Sequence, residues 1–251
     1  MNRDARTEEL SPQSAGVTAQ GHAGADRSLH GLHAVKHQAR KEFDQWAHSY
    51  DRSIVRHLLF DPAYRMFMEE LHRWRRDLAA PFDLLDIGCG TGTWTAMVAG
   101  SPLPSRRVVG LDYSLPMTQV AHGKAAQIGE GAPTFVNADS EHLPFADASF
   151  DVITCSNSFH HYPQQEATIR EMRRLLRPGG RLMLIDGFRD NVIGWFVFDV
   201  IITKIESTPA AKIFHAPWSL IREYFRRAGF RDIRHRKTNI WTPILLTVGE
   251  V

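Results

Sequence analysis

The sequence predicts an α/β fold: a doubly wound, mostly parallel sheet with an antiparallel hairpin at one edge. Three observations predict it. The stretch Leu84-Leu85-Asp86-Ile87-Gly88-Cys89-Gly90-Thr91-Gly92-Thr93-Trp94 reads as a buried strand, a glycine loop and the start of a helix. From Phe82 to Asp186, short apolar runs alternate with helical patterns, the rhythm of parallel strands joined by crossover helices. After one more helix the chain closes on two strand-like runs in succession, 230–237 and 240–248, which suits an edge hairpin.

Residues 1–38 are rich in Ala, Gly, Ser, Gln, Thr and His and poor in large apolar residues, the composition of a disordered tail. From 39 to 80 the pattern is helical and reads as a cover on the domain that follows. Phe43, Trp46, Ala47 and Tyr50 fall on one helix face. A second helix carries Tyr64, Phe67, Met68, Leu71 and Trp74, with Asp61 as cap and Pro62 in the first turn. The main domain spans 81–251. Its strands are expected at 82–87, 107–112, 134–136, 150–155 and 181–186, with helices near 94–99, 116–128 and 164–176 between them. Arg177-Pro178-Gly179-Gly180 reads as a stop and turn. Residues 187–216 break the rhythm with the very apolar stretch 192–202, which is read as a lid, with a packing or dimer helix as the plainer alternative. Pro217-Trp218-Ser219 then opens a helix ending near Gly229.

Composition narrows the function. A formal net charge of +2 asks for neither nucleic acid nor an acidic membrane partner. Two cysteines, Cys89 and Cys155, make no disulfide framework and no zinc site, and fit a reducing, cytoplasmic setting. No apolar run reaches the ~20 residues of a membrane span, and no signal-peptide core is expected.

Acidic residues sit where strands end. In a doubly wound sheet, ligands bind at the carboxyl ends of the strands near the switch in strand order. Asp86 precedes the first glycine. Asp112 ends the second strand, where a carboxylate can accept both hydroxyls of a ribose. Asp139 follows the third strand and can meet an adenine amino group. Each alone can be a loop aspartate; three in register after consecutive strands form a pocket. The loop itself reads G-x-G-x-G, whereas a nicotinamide fingerprint needs G-x-G-x-x-G and position 93 is threonine.

These residues carry a resemblance. Leu85-Asp86-Ile87-Gly88-Cys89-Gly90-Thr91-Gly92 resembles motif I of the class I S-adenosylmethionine-dependent methyltransferases, and Val109-Gly110-Leu111-Asp112-Tyr113-Ser114 resembles their second motif. Asp139-Ser140-Glu141-His142-Leu143-Pro144-Phe145, with Ser149-Phe150-Asp151-Val152-Ile153, is similar to the small-molecule branch that includes the ubiquinone/menaquinone C-methyltransferases. Leu175-Leu176-Arg177-Pro178-Gly179-Gly180-Arg181-Leu182 completes the set. The resemblance implies a Rossmann-like, seven-stranded fold and S-adenosyl-L-methionine as cofactor. Gly88, Gly90 and Gly92 would contact its methionine part, and Asp112 its ribose. Tyr113, Met117, Asp139 and Ser140 would surround the adenine, and Tyr50 would reach in from the N-terminal helix. Asp86, Cys89 and Asn157 belong to the same strand-end set.

The reaction implied is in-line displacement at a sulfonium methyl, in which the protein mainly aligns the reactants. A base helps where the nucleophile is a hydroxyl or an acidic carbon. His160 and His161, in Ser156-Asn157-Ser158-Phe159-His160-His161-Tyr162, are the candidates, with His160 preferred; the alternative for each is a histidine that packs or hydrogen-bonds the loop. Trp195, Phe196 and Phe198 would line a hydrophobic acceptor pocket. The acceptor expected is a small, fairly apolar molecule: a quinone-like carbon, a phenol oxygen or a natural-product intermediate. Nucleic acid is not expected, since the chain has neither a Pro-Pro-aromatic nor a Pro-Cys signature after strand four. A homodimer is compatible with the apolar stretch. The competing reading is a catalytically silent cofactor-binding module.

Overall fold

A computed structural model of the chain describes residues 40, 41, 43–45, 47, 54–75, 80–187, 215–237 and 244–251, the side chains of 54–59 and 75 excepted. The expected tail, and all but the ends of the expected 187–216 insertion, lie outside those residues.

Seven strands form one sheet in the order β3-β2-β1-β4-β5-β7-β6. They are β1 (Phe82–Ile87), β2 (Ser105–Asp112), β3 (Thr134–Asn137), β4 (Phe150–Ser156), β5 (Leu176–Gly187), β6 (Arg231–Lys237) and β7 (Ile244–Glu250). The pairs among β1 to β5 are parallel, and β7 runs antiparallel to both β5 and β6. The strand order reverses between β1 and β4, so the carboxyl ends of these two strands flank the crevice where a ligand is expected.

Helical residues are also described at 40, 41 and 43–45; the helices with described bounds are α1 (Ile54–Arg75), α2 (Thr93–Ala99), α3 (Leu115–Ala125), α4 (Gln165–Leu175) and α5 (Trp218–Arg227). They cover both faces, which is why β1 is buried at all six positions and reads as an apolar run instead of an alternation. The period of two still sorts its side chains. Leu85 and Ile87 join the face packed with Ile169 and Met172 of α4 and Ile221 and Phe225 of α5. Leu84 faces the other way, onto Phe67 and Leu71 of α1 and Trp94 and Val98 of α2. Phe67 and Leu71 are fully buried, each contributing about 1.5–3 kcal/mol by transfer out of water. The N-terminal helix therefore packs as part of the domain.

Two local expectations need correction. Pro62 lies inside α1, which begins at Ile54, and not in a first turn. A proline there forfeits one main-chain bond, but Ala63, Tyr64, Met66 and Phe67 are buried immediately after it, and that packing outweighs the local cost. The stop at Arg177–Gly180 is real for α4 but makes no separate turn. Leu176 already pairs with Phe150, and the register shifts once before Arg181 pairs with Val152. Gly179 takes a φ of +78° within that shift, so the glycines build a bulge that keeps the strand continuous.

Candidate active site

The glycine loop leaves β1 and folds over its end through main-chain bonds: Gly88 N–H and Cys89 N–H both donate to the Leu111 carbonyl, at 2.8 and 3.0 Å. Gly88, Gly90 and Gly92 all have φ between +54° and +72°. Their reasons for being glycine differ. A Cβ on Gly88 would stand 2.1 Å from Ser158 Oγ and 2.8 Å from the Tyr162 hydroxyl. A Cβ on Gly92 would stand 2.6 Å from the Phe135 ring and 2.9 Å from Ala121. A Cβ on Gly90 would meet no protein atom within 4 Å. Gly88 and Gly92 thus satisfy protein packing, while Gly90 keeps open a space that a ligand can use.

That space is a cavity of about 980 Å3 counted to its open mouth. Asp86, Gly88, Cys89, Gly90, Asp112, Tyr113, Met117, Ser140 and Asn157 all line it. Gly92 does not; it is buried behind the loop. Asp139 is also off the wall, half-buried, with Oδ1 accepting the Glu141 N–H at 2.8 Å to close the turn after β3. Tyr50, Trp195, Phe196 and Phe198 lie outside the described residues.

The carboxylates at the strand ends are held differently. Asp86 is buried, with Oδ1 accepting the Thr154 hydroxyl at 2.9 Å and Oδ2 the Thr95 hydroxyl at 3.0 Å. Trp94 Nε1 donates to that same Thr154 at 3.1 Å. Burial outweighs the two hydroxyls and pushes the Asp86 carboxyl up to about 7. Asp112 accepts the Gly90 N–H and the Ser114 N–H, both at 2.8 Å, and burial shifts it upward against those bonds. The Tyr113 main chain also bonds this carboxylate, which lines the cavity with acceptor capacity for a diol. Ser114 also caps α3, accepting the Met117 N–H at 3.3 Å, and donates its own proton to Asp44 at 2.5 Å. The N-terminal cover is thereby tied to this end of the cavity. Arg40 lies over the Tyr113 ring at 4.8 Å.

The cavity also carries rings. Phe43, Phe60, Tyr64, Trp94, His161 and Tyr162 line the cavity, and Phe43 meets the His161 ring edge-on at 5.0 Å. His160 and His161 sit in a 3-10 turn at 159–161 that follows β4. The chain enters it through Asn157, whose φ is +49°, a conformation asparagine tolerates better than most residues. The two histidines part ways. His161 lines the cavity; His160, the preferred candidate from sequence, does not. Its Nδ1 lies 2.6 Å from Asp186 Oδ1 and its main-chain N–H donates to Asp186 Oδ2 at 2.8 Å.

Charge states follow from these surroundings. Burial pushes the Asp186 carboxyl up, but the imidazoles of His160 and His215 hold it well below the usual carboxylate range. His160 Nδ1 is therefore the donor to an ionised Asp186. Burial first, then the neighbouring His160, lowers His161 well below its usual value, so its ring is neutral at pH 7. Burial raises the thiols of Cys89 and Cys155 and the Tyr162 phenol well above their ordinary values. None of these three is a base at neutral pH; the neutral imidazole at the wall is His161.

Several of these groups escape sequence reading. Asp186 ends a strand just as Asp112 does, so the same rule could have found it. Arg40, Ser158 and His215 carry no sequence signal of a role here.

Comparisons with known proteins agree with this geometry. Residues 85–184 match the family described as methyltransferase domain. Demethylmenaquinone methyltransferase of Listeria monocytogenes serotype 4a is 30% identical over 166 residues, which are 63% of this chain and 65% of that protein. The enzyme of the same name from Lactococcus lactis subsp. lactis is 36% identical over 170 residues, 61% of this chain and 68% of that protein. The chain belongs to the S-adenosylmethionine-dependent methyltransferases. The chain spans just under two thirds of the Listeria relatives, at 65%. Magnesium protoporphyrin IX methyltransferase from Synechocystis PCC 6803, solved with S-adenosylhomocysteine, shares the fold with a TM-score of 0.65 at 19% identity, covering 86% of this chain and 99% of that one. A methyltransferase of Haloferax volcanii, solved with an activator protein, gives 0.64 at 22% identity, covering 84% of this chain and 96% of that one. The methyltransferase cofactor fits the site: Gly90 leaves the space open, and Asp86 and Asp112 offer acceptors for an ammonium group and a diol. Among the described residues no helix is long and apolar enough to cross a membrane.

Proposed function

We propose that this chain transfers a methyl group from S-adenosylmethionine to a small, fairly apolar acceptor of the hydroquinone or phenol class. The observation that carries the reading is that one cavity joins the glycine loop to a neutral imidazole, His161, set among aromatic rings. The names of the menaquinone-type relatives support the same acceptor class.

The bound cofactor supplies an electrophilic methyl on a sulfonium. The chain's own residues bind, orient and move a proton. Gly90 leaves cavity space that would take the methionine end, with Asp86 there to meet an ammonium. Asp112 would hold the ribose hydroxyls beside Tyr113 and Met117, and Ser140 would lie toward the adenine. Phe43, Phe60 and Tyr64, which line the cavity, exclude water from the acceptor's path. His161, the neutral imidazole at the cavity wall, would take the acceptor's proton. His160, fixed on Asp186, supports that ring from behind.

The test incubates purified protein with labelled S-adenosylmethionine and a panel of hydroquinones and phenols. Label in a hydroquinone or phenol product is expected. Tight S-adenosylhomocysteine binding with no transfer to any acceptor would favour a silent cofactor-binding module.

A further inference from the structure

Asp186 gathers more of the chain than a simple partner of His160 would. Its Oδ2 accepts the His160 N–H, and its Oδ1 accepts both His160 Nδ1 at 2.6 Å and the Gly187 N–H at 2.7 Å. The same Oδ1 lies 3.7 Å from His215 Nδ1. His215 is buried, and its ring stacks on that of His160 with centroids 4.3 Å apart and planes 28° apart. The described chain ends its fifth strand at Gly187 and resumes at His215, just before α5. Both ends of the intervening 188–214 therefore meet at one carboxylate.

His160, Asp186 and His215 are also the residue types of a metal site, with candidate ligand atoms all within 4.8 Å of one another. The geometry argues otherwise. Lone pairs of an imidazole lie in the ring plane, and two rings stacked face to face do not aim them at a common point. Oδ1 and Oδ2 of Asp186 are already engaged by N–H donors, at distances suited to a shared proton and too short for two ligands of one tetrahedral ion.

We propose that His215 is a positioning residue for methyl transfer: with His160 it clasps Asp186, and the clasp fixes the 159–161 turn that presents His161 to the cavity. The contacts form a continuous path. His215 stacks on His160, the His160 ring lies 4.1 Å from that of His161, and Phe43 closes the far side of His161 at 5.0 Å. Removing His215 takes away one wall of His160 and one of the two imidazoles compensating the buried carboxylate. The turn is then free to shift, and the His161 ring with it. The role in turnover rests on the methyl-transfer reading above; the clasp itself does not.

The experiment compares wild type, His215→Ala and His215→Asn in the full chain. The asparagine amide keeps an N–H beside Asp186, where His215 Nδ1 stands 3.7 Å from Oδ1. For His215→Ala, turnover is expected to fall roughly 10- to 100-fold, the scale of a misplacement of about 1 Å at a reacting group, with S-adenosylhomocysteine affinity unchanged. His215→Asn is expected to recover most of the loss. Nitrogen-15 spectra of labelled histidine rings need no acceptor: the His160 and His161 signals are expected to move in His215→Ala. Unmoved ring signals would overturn the clasp, and so would cofactor affinity falling in step with turnover, an Asn variant no better than Ala, or a stoichiometric metal lost from His215→Ala. Ring signals that move in a protein whose wild type methylates no acceptor would support the clasp and sink the acceptor assignment alone.

Discussion

Asp86 offers a quantitative test of where the methionine end of the cofactor lies. Burial raises its carboxyl from 3.8 to about 7, so near neutrality the protein holds it half protonated. An ammonium placed against it selects the ionised form. Below pH 7 binding must expel the proton, and each pH unit costs about 1.36 kcal/mol, a factor of ten in affinity. From pH 8 to pH 5 the ionised fraction falls from about nine-tenths to about one-hundredth, so S-adenosylhomocysteine should bind roughly 100-fold more weakly at pH 5. Calorimetry in buffers of different ionisation enthalpy reads this directly: about one proton released per site at pH 5.5, and almost none at pH 8.5. Asp86→Asn should bind more weakly at pH 8 and flatten the profile, which separates Asp86 from Asp112 and His161. The sign for stability runs the same way. The folded chain retains a proton between pH 3.8 and about 7 that the unfolded chain releases, so this group's contribution falls across that window and is flat above it. At full desolvation the loss is about 4 kcal/mol, and the stability of Asp86→Asn relative to wild type should rise with pH across it. A wild-type affinity that ignores pH, or a pH dependence that survives in Asp86→Asn, would refute the placement.

The loop glycines should separate by phenotype. Gly90→Val should keep its circular dichroism spectrum and lose S-adenosylhomocysteine binding by calorimetry: its Cβ meets no protein atom, and the backbone strain at its φ of +54° lowers the melting temperature without a packing clash at Cβ. Gly88→Ala and Gly92→Ala should lower the melting temperature, each combining a clash under 3 Å with about 1–2 kcal/mol of left-handed backbone strain. His161→Ala should reduce turnover about 10²- to 10⁴-fold with cofactor affinity intact, measured by labelled transfer and calorimetry; equal turnover would move the base elsewhere. Asp44→Ala removes the acceptor of the Ser114 hydroxyl and should speed proteolytic cleavage before residue 54, with the melt of the main domain unchanged.

Much of the fold was legible because its signals are local. Apolar runs bounded by glycine and proline mark each strand from β1 to β5, and a proline-opened helix before two final strands marks the edge hairpin. The misread pieces are those where tertiary packing overrides a local rule. Pro62 is a good helix starter by propensity, yet Tyr64, Phe67 and Leu71 on the same helix bury against the sheet and carry it through the proline. Pro178 and Gly179 signal a turn, yet Leu176 has a partner in Phe150, so the chain stays extended around them.

The site divides along the same line. Asp86, Asp112 and the loop glycines stand at fixed offsets from strands, and topology alone brings them to one crevice. The sequence could not separate the three glycines, because what distinguishes Gly90 from Gly88 and Gly92 is the neighbour each Cβ would meet. The neighbours are Ser158, Tyr162, Phe135 and Ala121, supplied by distant elements. His160 and His161 pose the same problem more sharply. Adjacent in sequence and alike in chemistry, they are told apart only by Asp186, at the end of a different strand, and by His215, beyond the 188–214 segment. One imidazole is turned inward as a donor to a carboxylate and the other is left neutral at the cavity wall. A pair of equivalent candidates in a sequence becomes a carboxylate's partner and a neutral ring at the cavity wall once a buried charge chooses between them.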